Sequence, residues 1–137
     1  MQKEYERSFD EIQNIVDDTE QFFAENNIDP SLRLKVDLSI EELFVNMVSY
    51  DTETDSKILI EMVPIEDGIE VSLSDFDVDP FDPTQPRDVD IDAPLSERNP
   101  GGLGLFLVLK MADSIHYRYH NRTSTITFRN RVDNTDV

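Results

Sequence analysis

Asn99-Pro-Gly-Gly-Leu-Gly-Leu-Phe-Leu-Val-Leu-Lys-Met-Ala-Asp113 runs a glycine cluster straight into an apolar helical pattern. Three of the four glycines of the chain stand here. Glycine accepts dihedrals that other residues avoid and lets a second group approach the backbone, so its concentration at a helix start predicts contact with the main chain. The first N–H groups of a helix lack intrahelical partners and carry the positive end of the dipole, which suits a phosphate. A tight loop entering a buried helix accounts for the same residues, and the flanking segments must decide.

Upstream, residues 76–100 hold five prolines, no glycine and a run of aspartates. This reads as one long loop, and structureless connections of that length in a compact domain tend to be lids or disordered inserts. Before it, Lys57-Ile-Leu-Ile-Glu-Met-Val63 and Ile69-Glu-Val-Ser-Leu-Ser-Asp75 flank an Ile65-Glu-Asp-Gly68 turn, the pattern of an antiparallel hairpin. On that alternation Asp75 faces the core with Ile69, Val71 and Leu73, where an ionised carboxylate is costly unless partnered. It marks a ligand contact or the cap of the following turn.

Further upstream, the spacing predicts two helices. Asp10 is placed to cap the first, which carries Ile12, Ile15, Val16, Thr19, Phe22 and Phe23 on one face, and residues 4–9 form a short edge strand. The second runs from Leu32 to about Tyr50. Leu32, Val36, Ile40, Leu43, Phe44, Met47 and Tyr50 form a broad apolar face, and Leu34, Leu38 and Val45 a second strip. Lys35, Ser39, Glu42, Asn46 and Ser49 run between them, which sets Glu42 and Asn46 at i, i+4, pointing together. Downstream of the glycines, Ser114–His120 and Thr123–Arg129 read as a second hairpin around Asn121-Arg122.

The order β-α-α-β-β-loop-α-β-β implies an α/β two-layer sandwich, a mostly antiparallel sheet with helices on one face and a long lid loop. With 137 residues the chain fits one domain, expected over residues 1–130, with 131–137 a polar tail. No cysteine occurs, the start is too charged for a signal peptide and no apolar run approaches membrane-spanning length, so a cytoplasmic protein is expected. The formal charge of −18, from 30 acids against 12 bases, argues against nucleic acid and anionic membrane partners. It opposes any anionic small ligand too, so a nucleotide would need Mg²⁺ and a local pocket that overrides the global field.

Three blocks taken together, Glu42-Leu-Phe-Val-Asn46, Asp75 to Pro83 with its Asp79-Pro-Phe-Asp-Pro83 ending, and Gly101-Gly-Leu-Gly-Leu-Phe-Leu-Val108, resemble the anti-sigma-factor serine/threonine kinases. These are members of the superfamily of ATPases that includes histidine kinases, type II topoisomerases and heat-shock chaperones. The resemblance spans nearly the whole chain in order. It implies a Bergerat-type fold, ATP and Mg²⁺ as ligands, and phosphoryl transfer to a serine or threonine of a STAS-type anti-anti-sigma partner. Many members also hold a sigma factor, usually as a homodimer.

By the same resemblance, Glu42 matches the catalytic acid and Asn46 the Mg²⁺ ligand. Asp75 matches the acid that accepts from the adenine amino group, with Asp77 and Asp79 following it along the ATP site. Gly101, Gly102, Leu103 and Gly104 line the phosphates, residues 76–100 become the lid, and Arg98 matches the arginine that steadies the γ-phosphate. The chain departs from the family at two places. The usual glycine of the Asp-x-Gly block is Asp77, which adds a Cβ and a carboxylate where the backbone passes adenine, and Ser49-Tyr50 replaces a histidine. These departures support a rival reading, a kinase fold with weak or absent turnover that acts as a partner-switching binding module.

Asp75-x-Asp77-x-Asp79 and Asp88-x-Asp90-x-Asp92 imitate the opening of a calcium loop. Pro80 and Pro86, or Ala93 and Asn99, stand where that loop needs glycine and glutamate. His116 and His120 share a strand face, and without a third ligand at suitable spacing they read as structural.

Overall fold

The computed structural model describes residues 1–50, 54–79 and 108–132. Strand β1 (Gln2–Tyr5) leads into helix α1 (Ile12–Glu25) and helix α2 (Arg33–Tyr50), followed by β2 (Ile58–Ile65), β3 (Gly68–Phe76), β4 (Ser114–His120) and β5 (Thr123–Arg131). Residues 108–111 are helical. The five strands form one sheet in the order β1-β2-β3-β5-β4, and every pairing is antiparallel.

The alternation that predicted the hairpins also fixes the inner face. Ile58, Ile60 and Met62 of β2, Ile69, Val71 and Leu73 of β3, and Ile126 and Phe128 of β5 are all buried. They meet Ile15, Phe22 and Phe23 of α1 and Val36, Ile40, Leu43, Phe44 and Met47 of α2 in one core. Burying a side chain the size of Phe44 or Phe128 completely is worth roughly 2–3 kcal/mol against exposure. The helix-on-sheet contact is therefore the main source of stability.

Local chemistry sets the junctions. Gly68 opens β3 where a Cβ would lie 2.0 Å from the Asn130 carbonyl oxygen of β5, so only glycine lets the strands close there. Asn121 and Arg122 both take left-handed backbone, φ 50° and 59°, in the two-residue turn between β4 and β5. Asp29 accepts from the Ser31 N–H at 2.9 Å, and Pro30 follows it in the turn that opens α2.

Several boundaries differ from expectation. β1 covers residues 2–5 rather than 4–9, because Glu6 to Ser8 turn away from the sheet with the Ser8 N–H on the Glu6 carbonyl at 2.8 Å. Ser8 rather than Asp10 caps the first helical turn, its Oγ accepting from the Asp10 N–H at 3.2 Å. β5 runs on to Arg131, and Val132 N–H bonds the Asp67 carbonyl at 2.7 Å, so ordered pairing takes in the first two residues of the expected tail. The second apolar strip of α2 is not buried: Leu34 is 70% and Leu38 44% exposed. A helix lying on a sheet buries one face, and only the strip toward the sheet satisfies it.

Candidate functional site

The polar stripe of α2 supplies the first part of the site. Asn46 Nδ2 donates to the Glu42 carbonyl at 2.7 Å and to Glu42 Oε1 at 3.1 Å, a geometry that follows directly from the i, i+4 spacing. Asn46 is only 5% exposed, and its Oδ1 is buried with no hydrogen-bond partner among the described residues. An unpaired buried acceptor is costly unless a ligand completes it. Burial raises the Glu42 carboxyl above its ordinary range; the Asn46 hydrogen bond opposes this and the charge of Glu41 adds to it. Ser39, one turn earlier on the same stripe, is fully buried with its Oγ also unpaired.

This donor set fits Mg²⁺, a hard cation that takes oxygen ligands, keeps several waters and completes its shell from phosphates. Among the described residues Asn46 Oδ1 is an unpaired oxygen that could serve it, beside a half-buried carboxylate able to accept a proton.

Asp75 forms the second part. It stands opposite Ser124 of β5, on the helix-facing side of the sheet, and is 0% exposed. Its carboxylate is paired with Arg7, which donates from Nη2 to Oδ1 and from Nη1 to Oδ2, the latter at 3.4 Å. Arg7 Nη1 also donates to the Met47 carbonyl at 2.9 Å and Nε to the Ser56 carbonyl at 3.2 Å. One guanidinium thus ties β3 to α2, at the residue next to Asn46, and to the segment before β2. A planar fork with five donors suits three acceptors at once.

Asp77 and Asp79 go elsewhere. Asp77 holds a left-handed backbone, φ 57°, a conformation that favours glycine. Its carboxylate accepts from Arg122 Nε at 2.9 Å and that of Asp79 from Arg122 Nη1 at 3.2 Å, both side chains largely in solvent. Val78 between them is buried, its N–H on the Arg122 carbonyl at 3.0 Å and its carbonyl accepting from Tyr119 OH at 2.7 Å. The segment is clipped to the β4–β5 turn, so the extra carboxylates point outward.

The structure therefore brings Glu42 and Asn46 into contact, links Asp75 to the same end of α2 through Arg7, and separates Asp77 and Asp79 from Asp75. Arg98, Gly101, Gly102, Leu103 and Gly104, with most of the expected lid, lie outside the described residues. Asp75 turns to Arg7 while Asp77 and Asp79 turn to Arg122, so the three carboxylates do not converge. His116 and His120 are exposed on β4.

Sequence reasoning missed Arg7 and Arg122. The requirement for a partner at Asp75 was legible, since a buried acid needs one. Its identity was not, because Arg7 lies 68 positions away.

Residues 7–130 match the sequence profile of the histidine kinase-like ATPase domain. No curated protein matches the chain. Among solved structures, the crystal structure of the RsbU and RsbW domains of Rv1364c from Mycobacterium tuberculosis is similar in fold, with a TM-score of 0.67 at 14% identity. The match covers 96% of this chain and 32% of that one, so the chain spans about a third of its length. With the profile covering nearly the whole chain, the protein belongs to the histidine kinase-like ATPase domain family.

Proposed function

We propose that the chain is an ATP-binding regulatory serine/threonine kinase that phosphorylates a STAS-type anti-anti-sigma partner, with a sigma factor as a second partner and a homodimer as the working form. The observation that carries this reading is the Glu42–Asn46 pair with the buried, unpaired Asn46 Oδ1. Asn46 would hold Mg²⁺, which when bound supplies charge neutralisation between the phosphates. Glu42 orients the attacking serine or threonine hydroxyl and accepts its proton, and its desolvation brings its basicity closer to that task. Asp75 is the acid for the base amino group. Gly101, Gly102, Leu103 and Gly104 contribute backbone N–H groups to the phosphates, and Arg98 adds a cation at the γ-phosphate; phosphoryl transfer is mainly positioning and charge stabilisation of this kind. The family match and the fold shared with a chain that carries an RsbW domain support the assignment.

The rival reading, a partner-switching module with little or no turnover, draws on a different residue than the sequence suggested. Asp77 keeps a left-handed backbone and its carboxylate is held by Arg122 at the β4–β5 turn. Arg7 on Asp75 is the feature that favours the module. Calorimetry of ATP with and without Mg²⁺ separates the two. Mg²⁺-dependent binding, with Glu42→Ala abolishing transfer to a STAS-type protein at nearly unchanged nucleotide affinity, is the kinase result. No heat at millimolar Mg·ATP would falsify it.

A further inference from the structure

Arg7 lies outside β1, in the turn between the edge strand and α1, yet its guanidinium is the most completely used cation among the described residues. Its side chain is 9% exposed and donates to a carboxylate and two backbone carbonyls. We propose that Arg7 is an internal competitor for the base-recognition acid: it holds both oxygens of Asp75, and a nucleotide base binds only when the Glu6–Ser8 turn withdraws it. This rests on the reading of Asp75 as the acid that accepts from the base.

Three observations carry the inference. First, Asp75 is 0% exposed and both oxygens are engaged, so an exocyclic amino group meets no accessible acceptor while Arg7 is in place. The guanidinium offers the same kind of donor that the base would bring, with a full charge besides. Second, Arg7 shares the end of α2 with the proposed metal ligand, since it bonds the Met47 carbonyl next to Asn46. Its position thus lies between Asp75 and the helical turn that carries Asn46. Third, the turn that carries Arg7 can leave without opening the sheet. The β1–β2 register ends at Tyr5–Ile58, and β1 is independently held by Tyr5 OH on Asp18 and by the N-terminal Met1 bonds to Met62.

The energetic consequence is a binding equilibrium coupled to a conformational one. Withdrawing Arg7 returns its charge to water but leaves Asp75 with a neutral donor in place of a cation, so the closed arrangement is favoured in the free protein. The apparent affinity for ATP then falls by the fraction of molecules with Arg7 withdrawn. A protein partner that binds the β1–α1 turn would change nucleotide affinity without touching the pocket.

The test is calorimetric titration of ATP with Mg²⁺ into the full chain and into Arg7→Gln, with hydrogen exchange of the wild type in parallel. Arg7→Gln is expected to bind ATP about tenfold tighter or more. Amides of residues 6–11 in the wild type should exchange faster at saturating ATP. Binding by Arg7→Gln where the wild type shows none supports the competitor role and rules out turnover by the wild type. If wild type and folded Arg7→Gln bind alike, or the variant binds more weakly, the competitor role is overturned and the kinase reading stands. If neither binds, both fall. Should Arg7→Gln fail to fold, the wild-type exchange decides: unchanged or slower exchange at residues 6–11 overturns the proposal.

Discussion

Arg122 Nε donates to the Asp77 carboxylate at 2.9 Å while both residues hold left-handed backbone, φ 59° and 57°. The ion pair is exposed and of little worth by itself. Its value is directional: it draws the Asp77 side chain toward the hairpin turn and lets an aspartate stand where the backbone needs a glycine conformation.

That geometry predicts an order of stabilities at position 77. Asp77→Gly relieves the left-handed strain and should fold at least as well as wild type. Asp77→Ala keeps a Cβ without local hydrogen bonding and should lose about 1 kcal/mol. Urea unfolding of the three proteins checks the order, and an alanine variant as stable as the glycine variant contradicts it.

Gly68 permits no side chain. A Cβ there would stand 2.0 Å from the Asn130 carbonyl oxygen, a backbone atom that cannot rotate aside. Gly68→Ala should therefore destabilise by about 3 kcal/mol, by forcing β3 and β5 apart at their paired ends. The midpoint of urea denaturation reports it.

Arg7 and Asp75 should be strongly coupled in stability. Removing one partner strands the other's charge in the interior, and Asp75→Asn or Arg7→Ala should each cost about 3–5 kcal/mol. The pair Arg7→Met with Asp75→Leu removes both charges and should cost clearly less than the two single losses added together. A double-variant cycle by thermal melting that shows simple additivity would contradict the buried ion pair.

Glu42 gives a pH signature of definite sign. Burial holds its carboxyl above the ordinary 4.5, so the folded protein keeps that proton to higher pH than the unfolded chain. Its contribution thus declines as pH rises from about 4.5 through the native value, then levels off. Relative to wild type, Glu42→Gln should gain stability across that window and hold the gain above it. Urea midpoints measured at intervals from about pH 4 to 8 follow the difference, which a flat profile would rule out.

Tyr5 acts at the alkaline end. Burial first, then the hydrogen bond and charge of Asp18 and the charge of Glu11, push its hydroxyl far above the ordinary 10.0. A raised value means that stability is fully present below about pH 10 and lost as pH climbs beyond it. Tyr5→Phe should cost about 1 kcal/mol at neutral pH. It should also flatten the alkaline loss seen in melting temperature.

Much of the site was legible because its geometry is local. Glu42 and Asn46 meet through the i, i+4 spacing of any helix, and Asp75 faces inward because strand side chains alternate. The expected second apolar strip failed at Leu34 and Leu38 because helical periodicity locates apolar stripes but not which of them the sheet will cover. The direction of the Asp77 carboxylate was not legible for a similar reason: sequence shows that glycine is absent, not where the replacing side chain points.

The sequence alone determined the element order, the antiparallel hairpins and the polar stripe of α2, all consequences of periodicity and turn chemistry within short windows. Only the tertiary structure decided the partners of the acids. Arg7 reaches Asp75 across 68 positions, and Arg122 reaches Asp77 and Asp79 across 45 and 43. A buried charge must find a counter-charge, but which one depends on strand order and on how α2 lies against the sheet, properties of the whole packed chain that no local pattern encodes.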